Sequence, residues 1–192
     1  MVEKTIRIVV AAGLSVALLG AGHLGPAAIG ALYLAAVTPA LVQYDLRELR
    51  LPDALVLPGA AFVAVGAVWS SFGSGGWLVV GAVLACGAGA LVGFAVLASG
   101  GGLGMGDVKL AAVLAGALGA VAAERGPPLG EVVALVGCWV VVSFVAGAVV
   151  ASAALRGRGH GGAPGGGGGR LPAELPFGPV LLGTFWGFVL LG

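Results

Sequence analysis

The acidic side chains of this 192-residue chain are Glu3, Asp45, Glu48, Asp53, Asp107, Glu124, Glu131 and Glu174, accompanied by only two histidines. Two of these carboxylates stand where charge is expensive. Asp45 closes an uncharged run that begins at Ile8, and Asp107 opens another behind the glycine-rich stretch GGGLGMGDVKLAAV at 100–113. An ionisable group at membrane depth costs roughly 2.5–3.5 kcal/mol on insertion scales and is a functional candidate by default. Two carboxylates held close together share a proton, because both cannot ionise easily. One can then take a proton from water while the other donates to a carbonyl oxygen. That chemistry is peptide hydrolysis without a covalent intermediate, a metal or any other cofactor. Proton-coupled transport by the same pair is the alternative, and a non-catalytic membrane scaffold is a third.

Each aspartate also has a plainer reading. Asp107 could cap its helix, since an N-cap Asp satisfies orphan N–H groups and suits the positive helix end. Asp45, at a helix C-terminus, faces the negative end of the macrodipole. Pairing with Arg47 or Arg50 would occupy it, but such a surface contact is worth little. Other chemistries find less support. Ser15, Ser70, Ser71, Ser74, Ser99, Ser143 and Ser152 have no Ser-His-Asp company, because both histidines fall in loops. Gly102, Gly104 and Asp107 break the dinucleotide pattern at its last place, and there is no phosphate-binding GK[ST] loop. Cys86 and Cys138 sit singly inside apolar runs and read as small buried packing residues. His160 reads as a solvated loop residue.

The elements that would position these groups are membrane helices. The chain is 59% hydrophobic and 9% charged, against about 25% charged in soluble domains. A net charge of +1 gives no electrostatic case for nucleic acid. The expected fold class is an all-α polytopic bundle of six to seven transmembrane helices, one membrane-embedded domain over 1–192 surrounded by the lipid bilayer. Spans are expected near 6–22, 27–43, 55–70, 77–98, 108–123, 132–155 and 177–191. The first is expected to remain uncleaved. With the N-terminus inside, the inner segments hold Lys4, Arg7, Arg47, Arg50, Lys109, Arg156, Arg158 and Arg170, and the outer ones only Arg125. Asp45 and Asp107 then fall at the same inner border. Two four-residue stripes, Gly81–Ala85–Gly89–Gly93 and Ala112–Gly116–Ala120, are expected to be helix-packing faces. A flexible glycine-rich inner loop is expected over 156–176.

Three motifs in order add a resemblance. GMGDVK at 104–109 resembles the G-x-G-D motif of membrane aspartyl proteases, and its Lys109 resembles the type IV prepilin peptidase branch. YDLRELRLPDAL at 44–55 is similar to that branch's first aspartate motif, and PFGPVLLG at 176–183 to its late Phe-Gly-Pro element. The resemblance implies that Asp45 and Asp107 are the catalytic pair, with Gly104 and Gly106 as motif glycines that let backbone approach a substrate. It implies cleavage of the short basic leader of prepilin or pseudopilin precursors at the cytoplasmic face of the bacterial inner membrane. The family's Ile-Pro-Asn is Leu51-Pro52-Asp53 here, with Asp53 expected to cap the third span. Lys109 is expected to snorkel to the interface. Phe177, Gly178 and Pro179 are expected either to shape the substrate groove or to pack helices. Without a paired C-x-x-C insert, the chain resembles the compact, peptidase-only form. A presenilin or signal-peptide-peptidase type would share Tyr44-Asp45 and G-x-G-D but carry Pro-Ala-Leu where Phe-Gly-Pro stands.

Overall fold

A computed structural model describes residues 2–22, 25–49, 51–73, 76–100, 103–158 and 177–191. The described residues form seven α-helices and no strand: α1 (Val2–Gly20), α2 (Ala28–Glu48), α3 (Asp53–Ser71), α4 (Gly76–Ser99), α5 (Met105–Ala123), α6 (Leu129–Arg158) and α7 (Gly178–Leu191). The expected all-helical bundle is therefore observed, with the seven segments in order. Helices α2 to α6 are long and apolar enough to cross a membrane, so the chain is a multi-pass membrane protein. At 14 residues, α7 rises only about 21 Å, short of the roughly 30 Å hydrocarbon core. Helix α6 continues to Arg158, so the expected glycine-rich loop begins later than 156. The rest of that loop, 159–176 with His160, lies outside the described residues.

Helix α5 is the centre. Within its apolar window 72% of residues are buried, against 28% for α4 and α6. Its small residues permit this, because in lipid the driving force is close packing rather than exclusion of water. Gly119 shows the tolerance. A Cβ there would lie 3.1 Å from Cys86 Sγ and 3.2 Å from the Ala82 carbonyl of α4. Gly116 faces Val83 of α4 and Val63 of α3, so the α5 stripe packs as expected.

The α4 stripe does not. A Cβ at Gly81, Gly89 or Gly93 would meet nothing within 4 Å, and α4 instead meets α5 through Ala82, Val83, Cys86 and Gly87. Ala85, Gly89 and Gly93 line an apolar groove of about 270 Å³ together with Val133, Val136 and Gly137 of α6. Period four marks a small-residue face but cannot say which neighbour that face meets. Cys86 is buried as expected, whereas Cys138 is exposed, because its face of α6 points away from the bundle.

One polar knot ties the end of the bundle where α5 finishes. Glu124 Oε1 accepts the Ser70 hydroxyl of α3 at 2.7 Å and the Ala27 N–H before α2 at 3.3 Å. The carboxylate thus satisfies an orphan donor at the start of α2. Glu124→Ala leaves both donors without that acceptor, at about 1–3 kcal/mol. Thermal unfolding of the detergent-solubilised protein should show a lower midpoint for Glu124→Ala than for wild type; an unchanged midpoint would refute the role of this knot.

Candidate active site

At the opposite end of the bundle the chain turns from α2 into α3, enters α5 and enters α7. Asp45 lies in the last turn of α2 and is only 4% exposed. Its backbone carbonyl accepts the N–H of Leu49, which ends the helix in the left-handed conformation. Its side chain is held from elsewhere: Oδ2 accepts the backbone N–H of Gly178 at 3.0 Å. Gly178 is the first residue of α7, so its N–H is one of the donors a helix leaves unsatisfied. The positive end of α7 thereby meets a carboxylate. This offsets the unfavourable position of Asp45 at the C-terminus of its own helix, a compensation between helices far apart in sequence.

Gly178 is required for that approach, since a Cβ there would sit 2.9 Å from Asp45 Oδ2 and 3.1 Å from Cγ. Phe177 precedes it, and the Phe177 carbonyl accepts the N–H groups of Val180 and Leu181 to start α7. Pro179 falls in the first turn, where its missing N–H costs nothing. The Phe177 ring packs on Phe144 of α6 at 5.6 Å, and Phe144 stacks on Phe94 of α4 at 5.1 Å. A Cβ at Gly147 of α6 would collide with the Phe177 ring. Phe177, Gly178 and Pro179 thus anchor α7 and hold Asp45. Gly147 and Phe144 were not singled out in the sequence, where nothing in their spacing points to Phe177.

Asp107 is the third residue of α5, not its cap. Gly104 occupies the cap position with an extended backbone (φ −72°, ψ 146°), and no side chain caps the helix. Asp107 Oδ1 is buried and accepts no hydrogen bond from any described residue. Its carboxylate lies close enough to Asp45 to interact with it electrostatically. The structure therefore brings the two aspartates together from α2 and α5.

The motif glycines divide. Gly104 needs no glycine conformation, and a Cβ there would sit at ordinary contact, 3.8 Å from Asp107 Oδ2. Gly106 lies inside α5 against the turn before α3, where a Cβ would be 3.1 Å from Leu51 Cβ and 3.3 Å from Leu51 N. Its close approach is to Leu51.

Pro52 is the cap of α3 and accepts the N–H groups of Leu55 and Val56 through its carbonyl. Asp53 is the first residue of α3 and makes no capping bond. Instead it takes Lys109: Nζ donates to both carboxylate oxygens at 2.8 Å. Lys109 is thus ion-paired with α3 rather than simply extended to the interface. The pair is half-exposed, so its value lies in register between α3 and α5 more than in stability. Among the described residues no group of three or more His, Cys, Asp or Glu side chains could hold a metal ion.

A helical bundle that spans the membrane several times and gathers two aspartates at one end defines a class, the polytopic membrane proteins with a paired-carboxylate site. The family model of the type IV leader peptidases matches residues 32–155, which take in most of α2, all of α3 to α5 and most of α6, with both aspartates. The chain belongs to the type IV leader peptidase family, and is a peptidase. Comparison with curated proteins and with solved structures returned no match.

The two motif glycines give a paired test of this geometry. Gly106→Val overpacks the contact with Leu51 and should destabilise the protein by about 1–3 kcal/mol. Gly104→Ala should cost no more than about 1 kcal/mol, the ordinary N-cap difference. Unfolding midpoints of both variants in one detergent would show the order; equal losses would refute it.

Proposed function

We propose that the protein is an aspartic endopeptidase that removes the leader of prepilin-like precursors, with Asp45 and Asp107 as its catalytic pair. The observation that carries this reading is the meeting of these two carboxylates, from helices distant in sequence, at one end of a membrane bundle. The site acts as a coupled unit holding one proton. Its ionised member takes a proton from water, and the resulting hydroxide attacks the scissile carbonyl carbon while the protonated member donates to the carbonyl oxygen. The tetrahedral diol then collapses. The C–N bond breaks, the leaving nitrogen takes up a proton, and the pair returns to its starting state. The backbone N–H of Gly178 fixes the orientation of Asp45 throughout, without needing a proton of its own to move.

Charge supports a location for the site. In the alternating topology expected from the sequence, eight of nine Lys and Arg residues fall in the inner segments that also carry Asp45 and Asp107, which the positive-inside rule assigns to the cytoplasmic side of the bacterial inner membrane. The N-terminus would share that side. A short basic leader, cut there, is the substrate class that fits a pair of acids at this border. Membership in a peptidase family favours this reading over a proton-coupled transporter built on the same carboxylates.

Co-expression with a candidate prepilin tests the assignment. Asp45→Asn and Asp107→Asn should each lower leader removal by about 100-fold or more, while Glu131→Gln, in the first turn of α6 at the other end, should cleave as wild type. Cleavage retained in either Asn variant would sink the pair. Gly178→Ala should lower cleavage by roughly 10- to 100-fold through misplacement of Asp45, with normal accumulation in the membrane. Unchanged cleavage by that variant would mean that Gly178 does not position the carboxylate.

A further inference from the structure

Helix α7 is hydrogen-bonded to α2 at two levels. At its start the Gly178 N–H meets Asp45. About two turns further along, the indole Nε1–H of Trp186 donates to Thr38 Oγ1 at 3.1 Å, and the Thr38 hydroxyl donates onward to the Leu34 carbonyl at 2.6 Å. Both side chains are buried. Such pairing is not automatic in this bundle, since the buried Nε1 of Trp139 finds no acceptor among the described residues. Trp186 stands eight residues after Gly178, and Thr38 seven before Asp45. At 1.5 Å per residue these are rises of about 12 and 10.5 Å, so α7 lies antiparallel along α2 between the two levels. Within that interval α2 contains Pro39. A proline has no N–H to give, so the Ala35 carbonyl loses its helical partner, and the ring crowds the same carbonyl. Prolines are where helices bend, and a threonine bonded to its own i−4 carbonyl, as Thr38 is, bends them further. The segment of α2 that carries Asp45 is therefore joined to the rest of its helix through its weakest turn.

We propose that Thr38 and Trp186 are positioning residues for Asp45. Their hydrogen bond pins α7 to α2 ahead of Pro39, the Gly178 N–H holds the carboxylate beyond it, and α7 splints α2 across its proline. Membrane helices gain no hydrophobic drive from meeting one another, so packing and interhelical hydrogen bonds set how one lies along its neighbour. A second tie, between the Ser143 and Thr184 hydroxyls at 2.7 Å, fastens α7 to α6, which carries neither aspartate. The Trp186–Thr38 bond is the one that refers α7 to the helix whose end it must hold. Its effect on cleavage rests on the peptidase reading of Asp45 and Asp107, whereas the splint itself does not. Neither side chain is placed to meet a substrate, because both are enclosed between helices.

The test uses the full chain purified in detergent, with a candidate prepilin as substrate. Thr38→Val keeps the shape of the side chain and removes the hydroxyl, and Trp186→Phe removes the indole N–H. Each should lower kcat about 10-fold, short of the roughly 100-fold of a 1 Å misplacement because the Ser143–Thr184 tie remains. KM should stay within about twofold of wild type. The double variant should also fall about 10-fold, not the roughly 100-fold of two independent losses, because both changes remove one bond. Thr38→Ser keeps the hydroxyl and should retain most of the wild-type kcat. Ser70→Ala loosens the Glu124 knot at the other end of the bundle; it should lower the unfolding midpoint and leave kcat unchanged, which separates lost stability from lost position. Amide exchange read by mass spectrometry needs no cleavage. The peptide over 43–49 should exchange faster in Thr38→Val than in wild type, and at the wild-type rate in Thr38→Ser. Wild-type kcat in Thr38→Val, independent losses in the double variant, or unchanged exchange over 43–49 would each overturn the proposal. Cleavage retained in Asp45→Asn would instead overturn the catalytic pair, and the exchange result alone would then decide the splint.

Discussion

The hydrogen bond from the Gly178 N–H to Asp45 Oδ2 joins the last turn of one membrane helix to the first turn of another. An isolated carboxylate taken out of water carries a desolvation penalty of many kcal/mol, and Asp45 sits at the negative end of its own helix. The start of α7 supplies both a donor and a favourable dipole. Much of the architecture serves that contact. Phe144 and Gly147 seat Phe177, Phe177 starts α7, and the absent side chain of Gly178 lets the backbone reach the carboxylate.

Small residues make the contact geometrically possible from the other side. Asp107 can meet Asp45 only if α5 runs through the centre of the bundle, and α5 is buried along most of its length. Gly116 and Gly119 bring it against α3 and α4, and Gly106 brings its first turn against Leu51. The ion pair between Lys109 and Asp53 fixes the register of α3 on α5 two residues beyond Asp107. Motifs that are separate in the chain are therefore one structure: the Leu51-Pro52-Asp53 turn is the seat on which GMGDVK rests.

How far the sequence could be read follows from what hydropathy measures. It locates a helix in lipid, and all seven helices stand where uncharged runs and turn residues put them. It also isolates Asp45 and Asp107, because charge is rare enough there to be conspicuous. It does not orient a helix, since the lipid-facing side is as apolar as the packed side. That is why the stripe from Gly81 to Gly93 borders a groove with α6 while Ala82, Val83, Cys86 and Gly87 meet α5. Tertiary partners of polar groups were equally hidden. Lys109 could be expected at the interface, but not on Asp53, and nothing in the sequence puts Glu124 against Ser70 and Ala27. Asp107 matched the residue preferences of a helix cap, yet α5 begins two residues earlier and Gly104 takes that place.

Comparing the three partly or fully buried carboxylates separates structure from chemistry. Glu124 and Asp45 do the same thing at opposite ends of the bundle: each accepts a backbone N–H at the start of a helix, of α2 and of α7. The hydrogen bonds of Glu124 account for its burial. Asp45 has both a structural bond and the electrostatic company of Asp107. Asp107 has only the company, because its buried Oδ1 receives no bond from a described residue. A fold selected for stability alone would not keep such a group, since an apolar residue of similar size would remove the unsatisfied acceptor at little cost. The burial of Asp107 therefore needs a use for its unspent oxygen, and the nearest one is a proton shared with Asp45 or a hydrogen bond to a reacting carbonyl.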